Sequence, residues 1–112
     1  MNGACACPDG DAGALSFRGG PQGTAPLTGT SYQIFNYDET TQTIGSSALS
    51  GVQTVTDATT AMAVFGPFPG DAPVCVREVA TPPGYTLVGH DFACLHLGCG
   101  EDPFLWDFRH NP

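Results

Sequence analysis

The cysteines are the residues of this chain best suited to do chemistry. The 112 residues include five of them: Cys5, Cys7, Cys75, Cys94 and Cys99. So many cysteines in a short chain indicate either disulfide bonds formed in an oxidising compartment or a metal site. Because the number is odd, at least one thiol must be free, bound to a metal or bonded to another chain.

Two of the cysteines lie in neighbouring stretches of alternating apolar residues. In "VCVREVA", alternation puts Glu78 on the core face with the valines at 74 and 76, and Cys75 on the other face. In "DFACLHL", Cys94 likewise points away from the core. If these strands are neighbours, the Cβ atoms of Cys75 and Cys94 come within bridging distance. Their disulfide would close a loop of about 20 residues and contribute roughly 3 kcal/mol in the loop-entropy treatment.

The remaining cysteines have two alternative uses. One is a second disulfide from Cys99 to Cys5 or Cys7, which would tie the start of the chain to its last hairpin; the sequence leaves this connectivity open. The other is a zinc site, whose candidate ligands are Cys5, Cys7, Cys94, His96 and Cys99. The Cys-x-Cys and Cys-x-His spacings are tighter than zinc knuckles use, so disulfides are favoured and zinc is the alternative.

Other combinations of residues that support catalysis do not stand out in the sequence. His90 and Asp91 are adjacent, but no serine or cysteine nucleophile elbow accompanies them. There is no Gly-rich phosphate loop and no pair of carboxylates at a catalytic spacing. The sequence therefore predicts that the protein is not an enzyme and uses no cofactor.

The charge balance excludes two classes of partner. Eleven carboxylates face three arginines and no lysine, which gives a net charge of −8. Nucleic acids and anionic membranes both require a basic surface, so neither is an expected partner. No apolar run approaches the 18 residues that a membrane-spanning helix needs, so no membrane insertion is expected.

The elements that position these residues are short strands. Fifteen glycines and ten prolines separate segments rich in Thr and Val, with turn signals about every 8–12 residues, a pattern typical of an all-β sandwich or barrel. Phe104, Trp106 and Phe108 follow the strand period and are expected to fill the core. Residues 1–13 form an irregular lead-in without the features of a secretory signal, and residues 14–112 form one domain. The chain is either an excised module or is used without that export route.

A set of motifs in order along the chain resembles a known family. The segments "PLTGTSYQIFNYD", "TVTDATTAMAVFGPFPGDAPVCVREVATPPGYTL" and "FLWDFRHNP" carry a strand ending in Asp, Glu78 on a later strand, the corner Thr81–Tyr85, and the terminal Asn111-Pro112. This order is similar to the collagen-adhesin B-type repeat (Cna B-type, SpaA-like, prealbumin-like) domain. The resemblance covers residues 14–112 and implies a prealbumin-like (Ig-like) antiparallel β-sandwich of about seven strands.

Many members of that family contain an isopeptide bond between a lysine of the first strand and an asparagine near the last, with a glutamate that assists proton transfer. The resemblance places Glu78 and Asn111 at two of these positions. Arg18 is the basic residue nearest the third, and its guanidinium stays protonated and is no nucleophile. Leu15 and Phe17 are expected to face the core, which puts Arg18 one step from the lysine position. We expect no isopeptide bond, and expect Glu78 to act as a hydrogen-bonding or arginine-paired group.

The resemblance also implies a function. The chain is expected to be a non-enzymatic structural or adhesive module of an adhesin, pilus or stalk, held by disulfides, and located at the cell surface or cell wall. The alternatives are a virion decoration or tail protein, a self-assembling filament subunit, and a small glycan- or protein-binding sandwich that could bind zinc. The expected partners are proteins or glycans at a cell or particle surface, and further copies of the chain.

Overall fold

The computed structural model describes residues 12–18, 25–66, 72–97 and 104–112. The predicted lead-in therefore lies almost wholly outside the described residues, as do Cys5, Cys7 and Cys99. Ten strands are present in the described part of the chain: β1 (Ala12–Arg18), β2 (Ala25–Pro26), β3 (Ser31–Asp38), β4 (Thr43–Ala48), β5 (Gln53–Thr54), β6 (Met62–Phe65), β7 (Ala72–Ala80), β8 (Thr86–Val88), β9 (Phe92–Leu97) and β10 (Phe104–Asn111).

The strands form two five-stranded sheets, which confirms the predicted all-β sandwich. The first sheet has the order β2-β1-β10-β8, with β6 pairing with β1; the second has the order β4-β3-β7-β9, with β5 pairing with β3. Seven strands have four or more residues, in agreement with the expected number, and the other three have two or three. One pair, β1 with β10, is parallel, whereas the other pairs are antiparallel.

The core lies between the two sheets. Its buried residues are mostly small or β-branched, as expected where two pleated surfaces pack face to face. They are Ala14, Tyr32, Ile34, Val55, Ala61, Ala63, Phe65, Val74, Val76 and Phe108. Trp106 packs against this cluster beside Phe108, as the strand period of the last segment predicts. Among the described residues no helix is long and apolar enough to cross a bilayer.

The first strand contributes two small residues to the core. Ala14 and Ser16 are fully buried. The side chains of Leu15 and Phe17, which were expected to face the core, lie outside those that the structure describes. Small residues give a weak hydrophobic signal, so the sequence pattern favours their larger neighbours.

A turn after β5 holds β1 in place. The carboxylate of Asp57 accepts a hydrogen bond from the Thr59 N–H at 2.8 Å, and this bond lowers the pKa of Asp57. The Asp57 carbonyl accepts from Ala61 N–H at 2.7 Å, and the Ala61 carbonyl accepts from Ser16 N–H at 2.9 Å. The polar segment thereby fixes the position of Ser16 in the core.

The proline corner is a tight turn. The N–H of Tyr85 donates to the carbonyl of Pro82 at 3.2 Å, with Pro83 and Gly84 as the central residues. Gly84 has a φ of 88°, a conformation that L side chains rarely adopt. Proline followed by such a glycine is the sequence that a type II turn requires.

We expect Gly84→Ala to lower the free energy of unfolding by about 1 kcal/mol through backbone strain alone. No atom lies within 4 Å of the position that a Cβ at Gly84 would occupy, so no steric clash contributes. Gly51→Ala is the matched control, since its Cβ also meets nothing and its φ is not positive. Urea unfolding of both variants with the disulfides intact is the measurement, and equal effects would contradict this account.

Candidate functional site

A β-bulge positions the candidate site. In the pairing of β3 with β7, Tyr32 lies opposite Glu78 and Ser31 lies opposite Ala80, so Val79 is an extra residue on β7. Glu78 is 6% exposed, whereas Val79 is 43% exposed. A bulge interrupts strand alternation and re-aims side chains locally. Here it lies beside a carboxylate on the core face of the sheet.

Glu78 binds His110 across the space between the sheets. The Nε2 atom of His110, on β10, lies 2.9 Å from Oε1 and 3.0 Å from Oε2 of Glu78. Both side chains are almost completely buried, at 0% and 1% exposed. The hydroxyl of Thr81 donates a further hydrogen bond to Oε2 at 2.5 Å. A carboxylate buried in this way needs such partners, because an unpaired charge in a core is very costly.

Three hydroxyl groups extend this polar cluster. Ser16 and Thr30, both fully buried, share a hydrogen bond of 2.5 Å. The Tyr32 hydroxyl is also buried, and no hydrogen-bond partner for it is found among the described residues. Burial raises the pKa of Tyr32, and the charge of the nearby Glu78 adds to this rise. Tyr32 is therefore a neutral phenol, packed on Phe108 with 4.9 Å between ring centroids.

The structure describes the side chains of two of the three residues that the resemblance singled out. Glu78 is buried and hydrogen-bonded, whereas Asn111 is exposed. The residue that meets Glu78 is His110, one position earlier. The backbone of Arg18 pairs in register with that of His110, and the Arg18 side chain is outside the described part of the structure. Two kinds of partner were expected for Glu78, a hydrogen-bonding group or an arginine. Its described contacts are hydrogen bonds to His110 and Thr81.

Sequence reasoning missed His110, although a signal was present. Phe108 is in the core, and alternation puts residue 110 on the same face. The strand period that identified the aromatic residues of β10 thus also marks residue 110 as a core-facing position. The motif Asn111-Pro112 drew the prediction to the neighbouring position.

The disulfide predicted between Cys75 and Cys94 is present. The two residues are direct partners in the antiparallel pairing of β7 with β9, with Cα atoms 4.0 Å apart. Cys75 is outside the core cluster, as alternation requires, but it is fully buried on its own side of the sheet. Beside it, Arg77 and Asp91 form an exposed ion pair of 3.3 Å.

The disulfide excludes one of the five candidate zinc ligands. The Cys94 sulfur is bonded to Cys75 and cannot serve as a thiolate ligand. The side chains of the other four candidates, Cys5, Cys7, His96 and Cys99, lie outside those that the structure describes. Within the described residues no group of three or more potential ligands comes together.

The arrangement can hold the two sheets together, and its burial keeps reactants out. The Glu78 and His110 side chains have almost no exposed surface that a substrate could contact. General acid–base catalysis needs the catalytic group within hydrogen-bonding distance of the substrate. The cluster thus has the geometry of a structural tie.

We expect Tyr32→Phe to leave the free energy of unfolding unchanged or to raise it by up to about 1 kcal/mol, because an unsatisfied buried hydroxyl is unfavourable. Tyr32→Leu is the control for lost ring packing, and should be destabilising. Thermal and urea unfolding would measure both. A loss of more than about 1 kcal/mol in the phenylalanine variant would mean that the hydroxyl is hydrogen-bonded in solution.

The fold is similar to those of several solved bacterial proteins, two of them pilus proteins. The Bacillus anthracis TIE protein matches 91% of this chain with a TM-score of 0.61 and 15% identity, over 16% of its own length. A minor pilin of the Gram-positive pathogen Streptococcus agalactiae matches 95% of this chain, with a TM-score of 0.63 and 11% identity, over 45% of its length. The pilus 2b backbone protein of group B streptococcus matches 92%, with a TM-score of 0.62 and 15% identity, over 41% of its length.

These similarities concern the fold. No family model matches the sequence, and no curated protein matches it. The chain spans less than half of each of the three proteins above. The chain therefore has the β-sandwich fold found in these pilin structures.

Proposed function

We propose that this chain is a non-enzymatic, load-bearing module of a bacterial surface assembly such as a pilus, adhesin or stalk. The observation that carries the proposal is the parallel pairing of β1 with β10, the first and last described strands. The similarity of the fold to two pilins supports the same role. The buried polar cluster serves to hold the sandwich together.

The pairing of the terminal strands determines how the module responds to tension. Seven residue pairs join β1 to β10, from Ala12 opposite Phe104 to Arg18 opposite His110. The chain enters β1 at one end of this pair and leaves β10 at the other. Pulling on both ends loads the strands in shear, so all the hydrogen bonds between them must fail together. A pair loaded by peeling breaks its bonds one after another and resists less force.

In this proposal the Glu78–His110 pair replaces a covalent bond. The chain has no lysine, so an amide from a lysine side chain cannot form. Residue 110 lies on the shear-loaded strand, and its bond to Glu78 anchors that strand to the opposite sheet. The intact mass should equal the sequence mass less two hydrogens for each disulfide. A further loss of one ammonia would contradict a purely non-covalent tie.

The proposed location is the cell surface or cell wall, where the surroundings are oxidising and keep the Cys75–Cys94 bond formed. The proposed partners are neighbouring modules of the same assembly, or proteins and glycans at the surface. The virion and filament settings would use the same resistance to tension.

Single-molecule pulling tests the proposal. The full chain would be stretched from its two termini through handles that do not use cysteine, and compared with the same chain stretched from residues 18 and 112. The second geometry peels β10 from β1, because Arg18 and His110 lie at the same end of the pair. We expect a higher unfolding force between the termini. Equal forces in the two geometries would overturn the proposal.

A further inference from the structure

Strand β9 is the last strand of the second sheet in the described part of the chain. It pairs with β7 on one side, and no strand in the described part of the chain pairs with it on the other. The pairing with β7 runs through six consecutive residue pairs without a register shift. Other edges of the sandwich are shorter or irregular: β8 has three residues, and the pairing of β4 with β3 is bulged.

The β9 edge lacks the features that usually protect an exposed strand. Natural proteins block edges with charged residues, prolines or bulges. The sequence of β9, "FACLHL", has no Asp, Glu, Lys, Arg or Pro. The whole chain has a net charge of −8, but these six residues carry no formal charge when the histidine is neutral. Two copies can therefore approach along this edge with little local charge repulsion.

The direction of the backbone groups follows from the pairing with β7. The N–H of Glu78 donates to the carbonyl of Asp91 at 2.7 Å, so residue 91 and every second residue after it bond to β7. Cys75 and Cys94, with Cα atoms 4.0 Å apart, form the alternate, non-hydrogen-bonded kind of pair. Phe92, Cys94 and residue 96 therefore direct their N–H and C=O groups to the open edge.

We propose that this edge pairs with β9 of a second copy of the chain, antiparallel, to join the two second sheets into one continuous sheet. A row of donors and acceptors on one antiparallel strand is complementary to itself under two-fold rotation, which makes a second copy a fitting partner. The disulfide fixes β9 to β7, so β9 loses little conformational freedom when a second copy pairs with it. Phe92, 39% exposed, adds an apolar side chain beside the junction.

This inference is independent of the proposed load-bearing role, since a module could fail either test alone. The test is sedimentation from micromolar to near-millimolar concentration. It uses the full chain with Cys5→Ser, Cys7→Ser and Cys99→Ser, so that intermolecular disulfides cannot contribute. We expect a reversible equilibrium between monomer and dimer. A chain that stays monomeric throughout, or that dimerises only with its native cysteines, would overturn the proposal.

Variants then locate the interface. His96→Pro removes an N–H that faces the open edge and leaves the bonds to β7 intact, a position where an edge strand tolerates proline. We expect it to weaken dimerisation by about tenfold or more. Val64→Lys, at an exposed valine on β6, is the control and should change nothing. Circular dichroism would confirm that both variants fold, and a folded His96→Pro variant that dimerises like its parent would refute the assignment.

Discussion

Glu78→Gln should lower the free energy of unfolding by about 1–3 kcal/mol, because the amide replaces one of the two acceptor oxygens that contact His110 and Thr81 with a donor. The substitution keeps the shape of the side chain, so lost packing contributes little. His110→Gln should have a similar effect, because it removes the ring nitrogen that contacts both Glu78 oxygens. Urea unfolding at neutral pH, with the disulfides intact, measures both.

An exposed carboxylate provides the matched control. Asp91→Asn makes the same chemical change in the ion pair with Arg77, in which both side chains are nearly half exposed. Exposed pairs contribute at most about 1 kcal/mol, so this variant should stay close to the parent. If Glu78→Gln were no more destabilising than Asp91→Asn, the buried pair would not be the tie between the sheets.

The double variant Glu78→Met/His110→Leu distinguishes the contribution of the polar pair from that of side-chain packing at the same positions. Replacing both members of a buried hydrogen-bonded pair by apolar residues of similar shape can be nearly neutral or stabilising. We therefore expect the double variant to recover most of the stability that either single variant loses. This recovery would show that each member of the pair is required mainly because the other is buried beside it. It would also show that the sandwich can pack without a polar pair at this position.

Those parts of the site that lie on one regular strand could be predicted from the sequence. On β7, strand alternation put Glu78 on the core side with Val74 and Val76, and all three are buried. The same alternation on β7 and β9 placed Cys75 and Cys94 on a common face, where they are bonded. Period-two patterns are reliable where large apolar residues mark the core face.

Those parts that depend on small core residues or on tertiary pairing could not be predicted. On β1 the core positions are Ala14 and Ser16, whose size gives no hydrophobic signal. The parallel pairing of β1 with β10 joins the two ends of the domain, and no local pattern specifies it. The bulge at Val79 likewise follows from the pairing of two distant strands. The partner of Glu78 depends on all of these features together.

Removing the Cys75–Cys94 disulfide should be the other large effect. The bond joins residues 19 apart in sequence, and closing a loop of that size contributes about 3 kcal/mol by restricting the unfolded chain. A domain of this length has a total stability of about 5–15 kcal/mol, so the loss is a substantial fraction. We expect Cys75→Ala/Cys94→Ala to show this loss in urea unfolding, and to expose the amides of the edge strand β9 to faster hydrogen exchange.

Hydrogen exchange of the β9 amides is informative because of where this strand lies. The strand has one hydrogen-bonded neighbour among the described residues, β7, and the disulfide is the covalent link between them. Without the bond, β9 can separate from β7 while the centre of the sandwich stays folded, because local openings need less free energy than global unfolding. Amides of β3, which lies between other strands, are the internal control and should change only with global stability. Uniform acceleration across both strands would show that the disulfide stabilises the whole domain and has no separate role at the edge.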